Sequence, residues 1–157
     1  MTAGKKPRQI SKEVLYSKAM KYCSYAERCT YDATSKLRHL GAGPELIQEI
    51  IEKLTSQGYI NDSRFSKLFA ESKLRHNRWG KHKIKAELLR RNIDNNSIEQ
   101  ALSAIDDDEY MQCLRSLFSK KAAELTTKNK GKVTERVINF CIRKGWEPEL
   151  VLTLNAE

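Results

Sequence analysis

Residues 37–51, LRHLGAGPELIQEII, and residues 88–102, LLRRNIDNNSIEQAL, are two versions of one pattern set 51 positions apart. Leu37, Gly41, Ile47 and Ile51 in the first correspond to Leu88, Asn92, Ile98 and Leu102 in the second. Apolar residues stand at helical spacing on either side of Gly41 or Asn92, and Gly and Asn are the two residues that most readily enter the left-handed αL region. Each stretch therefore reads as helix, left-handed stop, helix. Gly43-Pro44 opens the later helix of the first copy, with Pro at the first helical position, where its missing N–H is no loss. Gly58 ends it.

Working outward, Leu15, Ala19, Tyr22 and Ala26 fall at i, i+4, i+7 and i+11, one stripe of a helix preceding the first copy. Thr30 is placed to cap the helix that runs to Leu40. In the second copy Asn61 or Asp62 caps a helix with Phe65, Leu68, Phe69 and Ser72. With Asn61 as the cap, Ile60 and Phe65 occupy the staple positions that fix the entry angle. A helix with Ile84 and Leu88 follows, then one with Ile98, Ala101, Leu102 and Ile105. A fainter third copy holds Tyr110, Leu114, Leu117 and Phe118, a polar stretch from Thr126 to Gly131, then Val133, Val137, Phe140 and Cys141 up to Gly145. Glu147-Pro148 opens a last helix with Leu150, Val151 and Leu154. The fold expected is all-α: three tandem three-helix repeats over 11–60, 61–106 and 107–157 behind a flexible basic tail at 1–10. Short units that stack on their neighbours make an elongated, curved array, of either hand, rather than a sphere.

Composition bounds the function. With 157 residues, 39% hydrophobic and 31% charged, the chain suits one domain or a row of small modules. It holds no apolar run of membrane-spanning length, and its basic N-terminus leads into no apolar signal segment. Seven glycines and three prolines argue against a Gly-rich cofactor scaffold or a turn-rich β-sandwich. Four scattered cysteines, of which Cys23 and Cys141 lie in apolar helical patterns as small core residues, suit a cytoplasmic chain with reduced thiols.

Catalytic chemistry finds little to stand on. Gly80-Lys81-His82 lacks the upstream Gly and the following Ser or Thr of a phosphate-binding loop. His39, His76 and His82 are separated and lie in basic helical stretches, as solvated residues. Cys23 and Cys29 have no second ligand pair to complete a zinc site. Asp106-Asp107-Asp108-Glu109 lacks the alternating ligands and glycine of a calcium loop and suits a helix N-terminus, where negative charge complements the dipole. No enzyme, cofactor or metal is expected.

The charge is more informative. Twenty-nine Lys and Arg against twenty Asp and Glu give a net +9, a surface that attracts polyanions or an acidic protein. Lys73, Arg75, Arg78, Lys81, Lys83, Lys85, Arg90 and Arg91 crowd into nineteen residues beside a single acid, Glu87, with Trp79 among them. Lys81 and Lys85 stand at i and i+4, with Ile84 and Leu88 turned towards the core, so several cations should share an outer face where they repel one another until an anionic partner relieves them. A second cluster comprises Lys120, Lys121, Lys128, Lys130, Lys132 and Arg136, and Lys5, Lys6 and Arg8 add a basic arm. No helix carries the side-chain pattern of a base-reading element, so sequence-specific DNA recognition is not expected.

Gly58-Tyr59-Ile60-Asn61-Asp62-Ser63-Arg64-Phe65, then Phe69 and Arg75, then Gly80-Lys81-His82-Lys83-Ile84, then Leu88 and Asn92-Ile93 resemble the core signature of the bacterial RecX regulatory proteins, with Asn92 where Gly is usual. The resemblance is strongest in the middle copy. It implies three tandem three-helix units and a protein that binds the RecA recombinase filament, near or on its DNA phosphates, limiting filament growth, ATP hydrolysis and strand exchange; a monomer is expected, though the resemblance does not specify it. On charge alone, the contact residues expected are Lys73, Arg75, Arg78, Trp79, Lys81, Lys83, Lys85, Arg90, Arg91, Lys120 and Lys121. The alternative is a nonspecific nucleic-acid-binding helical protein that grips phosphates through the same clusters.

Overall fold

A computed structural model describes residues 9–126 and 133–157, with the side chain of residue 133 set aside. Lys5, Lys6, Arg8, Lys128, Lys130 and Lys132, together with most of the polar stretch after Thr126, lie outside the described residues. Among the described residues the chain forms nine α-helices and no strand: α1 (Lys12–Tyr25), α2 (Thr30–His39), α3 (Pro44–Ser56), α4 (Asp62–Asn77), α5 (Lys81–Arg90), α6 (Asn95–Ser103), α7 (Asp107–Thr126), α8 (Val133–Arg143) and α9 (Pro148–Ala156). They divide into two compact units, the first ending at Phe65 and the second beginning at Ser66, inside α4.

The first unit packs α1, α2 and α3 against one another. Leu15, Ala19 and Cys23 from α1, Ala33 and Leu37 from α2, and Ile47, Ile50 and Leu54 from α3 bury together with Ile60. Each such large aliphatic side chain contributes about 1.5–3 kcal/mol on burial. Tyr22 is only half-buried, and Ala26 lies beyond the end of α1 and is exposed, so the stripe on α1 turns through Cys23 instead. Thr30 is the first helical residue of α2 rather than its cap. Cys29 takes the cap position, and the orphan N–H of Thr30 donates to the Asp62 carboxylate at 2.7 Å. Asn61 caps α4, its side-chain oxygen accepting the Arg64 N–H at 2.9 Å. Ile60 and Phe65 are both buried beside it, as the staple reading requires. Leu68 is exposed and Phe69 half-buried, so the core stripe of α4 runs instead through Phe65, Ala70 and Leu74.

The second unit repeats the scheme twice. Ile84, Leu88 and Ile98 are fully buried, and Val137, Cys141 and Val151, each 53 positions further on, are buried likewise. The stops correspond too: Gly41 has φ 89°, Asn92 φ 56° and Gly145 φ 96°. Helical repetition is thus realised in the packing. A second correspondence concerns helix starts. The Lys81 N–H, 51 positions after that of Thr30, also takes a side-chain cap from further along the chain, the Tyr110 hydroxyl at 2.9 Å.

The α4–α5 elbow, residues 78–80, is fixed from several sides. Arg78 takes φ 55°, a left-handed conformation that costs a non-glycine residue about 1–2 kcal/mol. Its carbonyl accepts the indole N–H of fully buried Trp146 at 2.9 Å, and its guanidinium donates to the Cys113 sulfur at 3.1 Å. The Gly80 N–H donates to the Lys144 carbonyl at 2.9 Å, and the His82 N–H to the Gly145 carbonyl at 3.0 Å. The two backbones approach so closely that a Cβ on Gly80 would meet the Gly145 carbonyl oxygen at 2.3 Å. Gly80 in the signature is therefore a packing glycine, buried against the α8–α9 turn.

Candidate functional site

The elbow presents Trp79 to the side of the second unit. Trp79 and Phe69, both half-buried, meet edge to face with centroids 6.3 Å apart. Cations gather on these rings. The Lys83 ammonium sits 4.5 Å and the Lys73 ammonium 4.9 Å from the Trp79 centroid. Lys73 is also 5.5 Å from the Phe69 ring, and the Arg91 guanidinium 5.2 Å from it. The negative faces of the rings hold the like charges together, each contact contributing about 0.5–2 kcal/mol. Neither Lys73 nor Lys83 is ion-paired among the described residues.

The rest of the basic run is partly neutralised, by acids mostly outside it. Arg75 grips Glu109 with two hydrogen bonds, at 2.6 and 3.3 Å, and reaches Glu71 at 3.7 Å. The hydrogen bond from Arg75 holds the Glu109 carboxyl below the usual carboxylate range, and its counterpart raises Arg75. Lys85 pairs with Glu99 at 3.4 Å. Arg90 and Arg91 converge on Glu87 at 3.2 and 3.0 Å. Burial pushes the Glu87 carboxyl up, but the hydrogen bonds from the two arginines more than reverse this. Lys81 lies half-buried over the Tyr110 ring, 4.7 Å from its centroid, and Arg78 is half-buried against Cys113. Of the expected contact cations, Lys73, Arg78, Lys81, Lys83 and Arg91 are half-buried, their stems lying on rings or packed elements, while Arg75, Lys85 and Arg90 are exposed. In the third copy Lys120 is exposed, and Lys121 lies over the Phe140 ring at 4.6 Å and pairs with Glu124 at 3.3 Å.

Sequence reasoning missed the groups that hold this surface. Tyr110 stacks on Trp146, centroids 4.3 Å apart, and its hydroxyl donates to the Glu147 carboxylate at 2.6 Å. Burial, then that hydrogen bond, pushes the Tyr110 hydroxyl well above its ordinary pKa, so it stays a neutral donor. The repeat itself carried the signal, because Trp146 stands 53 positions after Ile93, the buried residue that follows the left-handed Asn92. The three histidines are exposed. All four cysteines are buried and unpaired. Among the described residues no group of three His, Cys, Asp or Glu side chains is placed to hold a metal ion, and no helix is long and apolar enough to cross a membrane.

Comparison with known proteins converges on one family. Residues 61–102 match the family model described as RecX, second three-helix domain. These are the residues that carry Phe69, Lys73, Trp79, Lys83 and Arg91. The chain is 27% identical over 142 residues to the regulatory protein RecX of Geobacillus kaustophilus, covering 90% of this chain and 53% of that protein. It is 26% identical over 155 residues to the regulatory protein RecX of Amycolatopsis mediterranei, covering 96% of this chain and 89% of that one. The crystal structure of RecX from Lactobacillus salivarius superposes with a TM-score of 0.77 at 25% identity, covering 90% of this chain and 92% of that one. The chain thus spans about half the length of most of these curated relatives, the Geobacillus protein included, and 89% of the Amycolatopsis protein.

Proposed function

Because the chain belongs to the RecX family of regulatory proteins, we propose that it binds the RecA recombinase filament on DNA and restrains filament growth, ATP hydrolysis and strand exchange. The observation that carries this reading is the match of residues 61–102 to the second RecX domain, over the helices that bear the Lys73–Trp79–Lys83 patch. Inhibition of this kind needs no catalytic group. It needs a surface that binds one filament state better than another, because only differential affinity shifts an equilibrium. Two ammoniums without acid partners, held on a half-exposed indole, supply charge and an aromatic anchor together, the composition that dominates many protein interfaces. In this reading the protein acts as a monomer in the cytoplasm, and the filament supplies the anionic complement.

The test is RecA ATPase on single-stranded DNA, titrated with parent protein and with a Lys73→Glu/Lys83→Glu variant of unchanged helicity. The variant should need at least about tenfold more protein for half-inhibition, equivalent to about 1.4 kcal/mol. Inhibition equal to the parent's refutes the patch as the contact. Binding to naked DNA as tight as to the nucleoprotein filament would favour the nonspecific nucleic-acid-binding reading instead.

A further inference from the structure

The first unit carries an aromatic and cationic surface of its own. Leu15, Ala19 and Cys23 of α1 face the core, Tyr22 is half-buried at its edge, and Lys18 and Tyr25, at i−4 and i+3 from Tyr22, are exposed. Tyr25, the last residue of α1, is 88% exposed, an unusual placement for a large ring. Arg28 folds back on the helix end. Its Nε donates to the Tyr22 carbonyl at 3.4 Å, and its guanidinium lies 4.0 Å from the Tyr22 ring centroid. The Lys36 ammonium approaches the same ring at 5.6 Å, and Lys21 stands one helical turn before Tyr25. None of Lys18, Lys21, Arg28 and Lys36 is ion-paired among the described residues. The neighbouring acids are engaged elsewhere: Glu27 with Arg64 at 2.9 Å, and Asp32 as acceptor of the Cys29 thiol at 3.2 Å.

We propose that this face, Lys18, Lys21, Tyr22, Tyr25, Arg28 and Lys36, binds single-stranded nucleic acid, with an unpaired base stacked on Tyr25 and the flanking phosphates on the lysines and Arg28. The partner follows from the chemistry of the face. Four cations without acid partners call for a polyanion. A fully presented ring beside them suits a flat π surface, which a single strand offers and a duplex keeps inside its stack. An acidic protein segment would satisfy the cations and leave the Tyr25 ring unused. Stacking on an aromatic side chain is insensitive to base identity, so sequence preference should be weak. The site is separate from the Lys73–Trp79–Lys83 patch and does not depend on a recombinase.

The test uses the full chain without RecA. Fluorescence anisotropy measures binding to a labelled oligothymidylate and to an abasic strand of equal length and charge, at one fixed salt concentration. Parent protein should prefer the base-bearing strand. Tyr25→Ala should weaken oligothymidylate binding by roughly 5- to 150-fold, the range found for the loss of one stacked base. It should leave abasic-strand binding unchanged, and Tyr25→Phe should restore the preference. Lys18→Glu/Lys21→Glu should weaken both strands alike. Equal affinity of parent protein for the two strands overturns the stacking. So does a Tyr25→Ala variant that binds oligothymidylate as the parent does, including the case in which that variant loses only filament binding, which would make the face a protein-docking surface. Failure of the Lys73→Glu/Lys83→Glu experiment touches none of these readouts.

Discussion

Gly80→Ala should unfold the second unit far more easily than its single methyl suggests. Gly80 has φ −80° and ψ 170°, a conformation any residue accepts, so backbone preference alone would make the change mild. The obstacle is tertiary. The new Cβ would stand 2.3 Å from the Gly145 carbonyl oxygen and 2.5 Å from the Trp146 nitrogen, where all neighbours are backbone and cannot rotate away. Separating the strands of chain breaks Gly80 N–H to Lys144 carbonyl and His82 N–H to Gly145 carbonyl. Each bond lost at this tight contact costs about 1–3 kcal/mol, so the two together cost about 2–6 kcal/mol. At about 4–8 °C per kcal/mol for a unit of this size, the midpoint should fall by at least about 8 °C. Both tryptophans, Trp79 and Trp146, lie in the second unit, so thermal unfolding followed by tryptophan emission reads that unit alone. Gly43→Ala is the control. Gly43 also occupies a helix N-cap in extended conformation, but a Cβ there meets nothing within 4 Å. That variant should stay within about 1 kcal/mol of the parent. A Gly80→Ala midpoint within about 4 °C of the parent's would refute the close-approach argument.

Two further outcomes follow from caps and burial. Asp94 caps α6 through the Ser97 N–H at 2.8 Å and the Ser97 hydroxyl at 2.8 Å, and these bonds hold its carboxyl below the ordinary range. Its folded pKa is depressed, so its contribution is in place at neutral pH and is lost as pH falls through that value; Asp94→Ala should lower the urea midpoint at neutral pH, and the gap from parent should close in acid. A gap that stays constant or widens in acid contradicts the assignment. Burial pushes the Cys29 thiol up to about 12 and the Cys141 thiol up to about 11, and Cys23 and Cys113 are buried as well. A disulfide exchange reagent at mildly alkaline pH should therefore label all four only after denaturant is added, and rapid labelling of the native protein would contradict the packing.

The local grammar of the chain was legible before any coordinates. Left-handed stops at Gly41, Gly58, Asn92 and Gly145, Pro44 and Pro148 at helix starts, and the apolar series through Leu37, Leu88 and Cys141 are short-range requirements of backbone sterics and helix period, which neighbouring residues specify among themselves. The family signature was legible too, because its residues fall within one stretch of the chain, positions 58–93. What α4 buries was less legible, since Phe69 and Leu68 are as apolar as Leu74, and only the neighbouring elements decide which of them has a surface to pack against.

By itself, then, the sequence determined the helices of the described residues, their stops and their repetition, because each depends on residues within a few turns. Tertiary structure alone decided which cations are neutralised. Charge density along the chain counts Arg75, Lys83 and Lys85 alike, but Glu109 and Glu99 arrive from distant positions to neutralise two of them, while Trp79 holds the third on its face. It alone decided that Gly80 is a packing glycine, since the Gly145 carbonyl that forbids a side chain there lies 65 residues away in sequence. Electrostatic and steric interactions act through space, so no short window along the chain contains Arg75 with Glu109, Lys85 with Glu99, or Gly80 with Gly145.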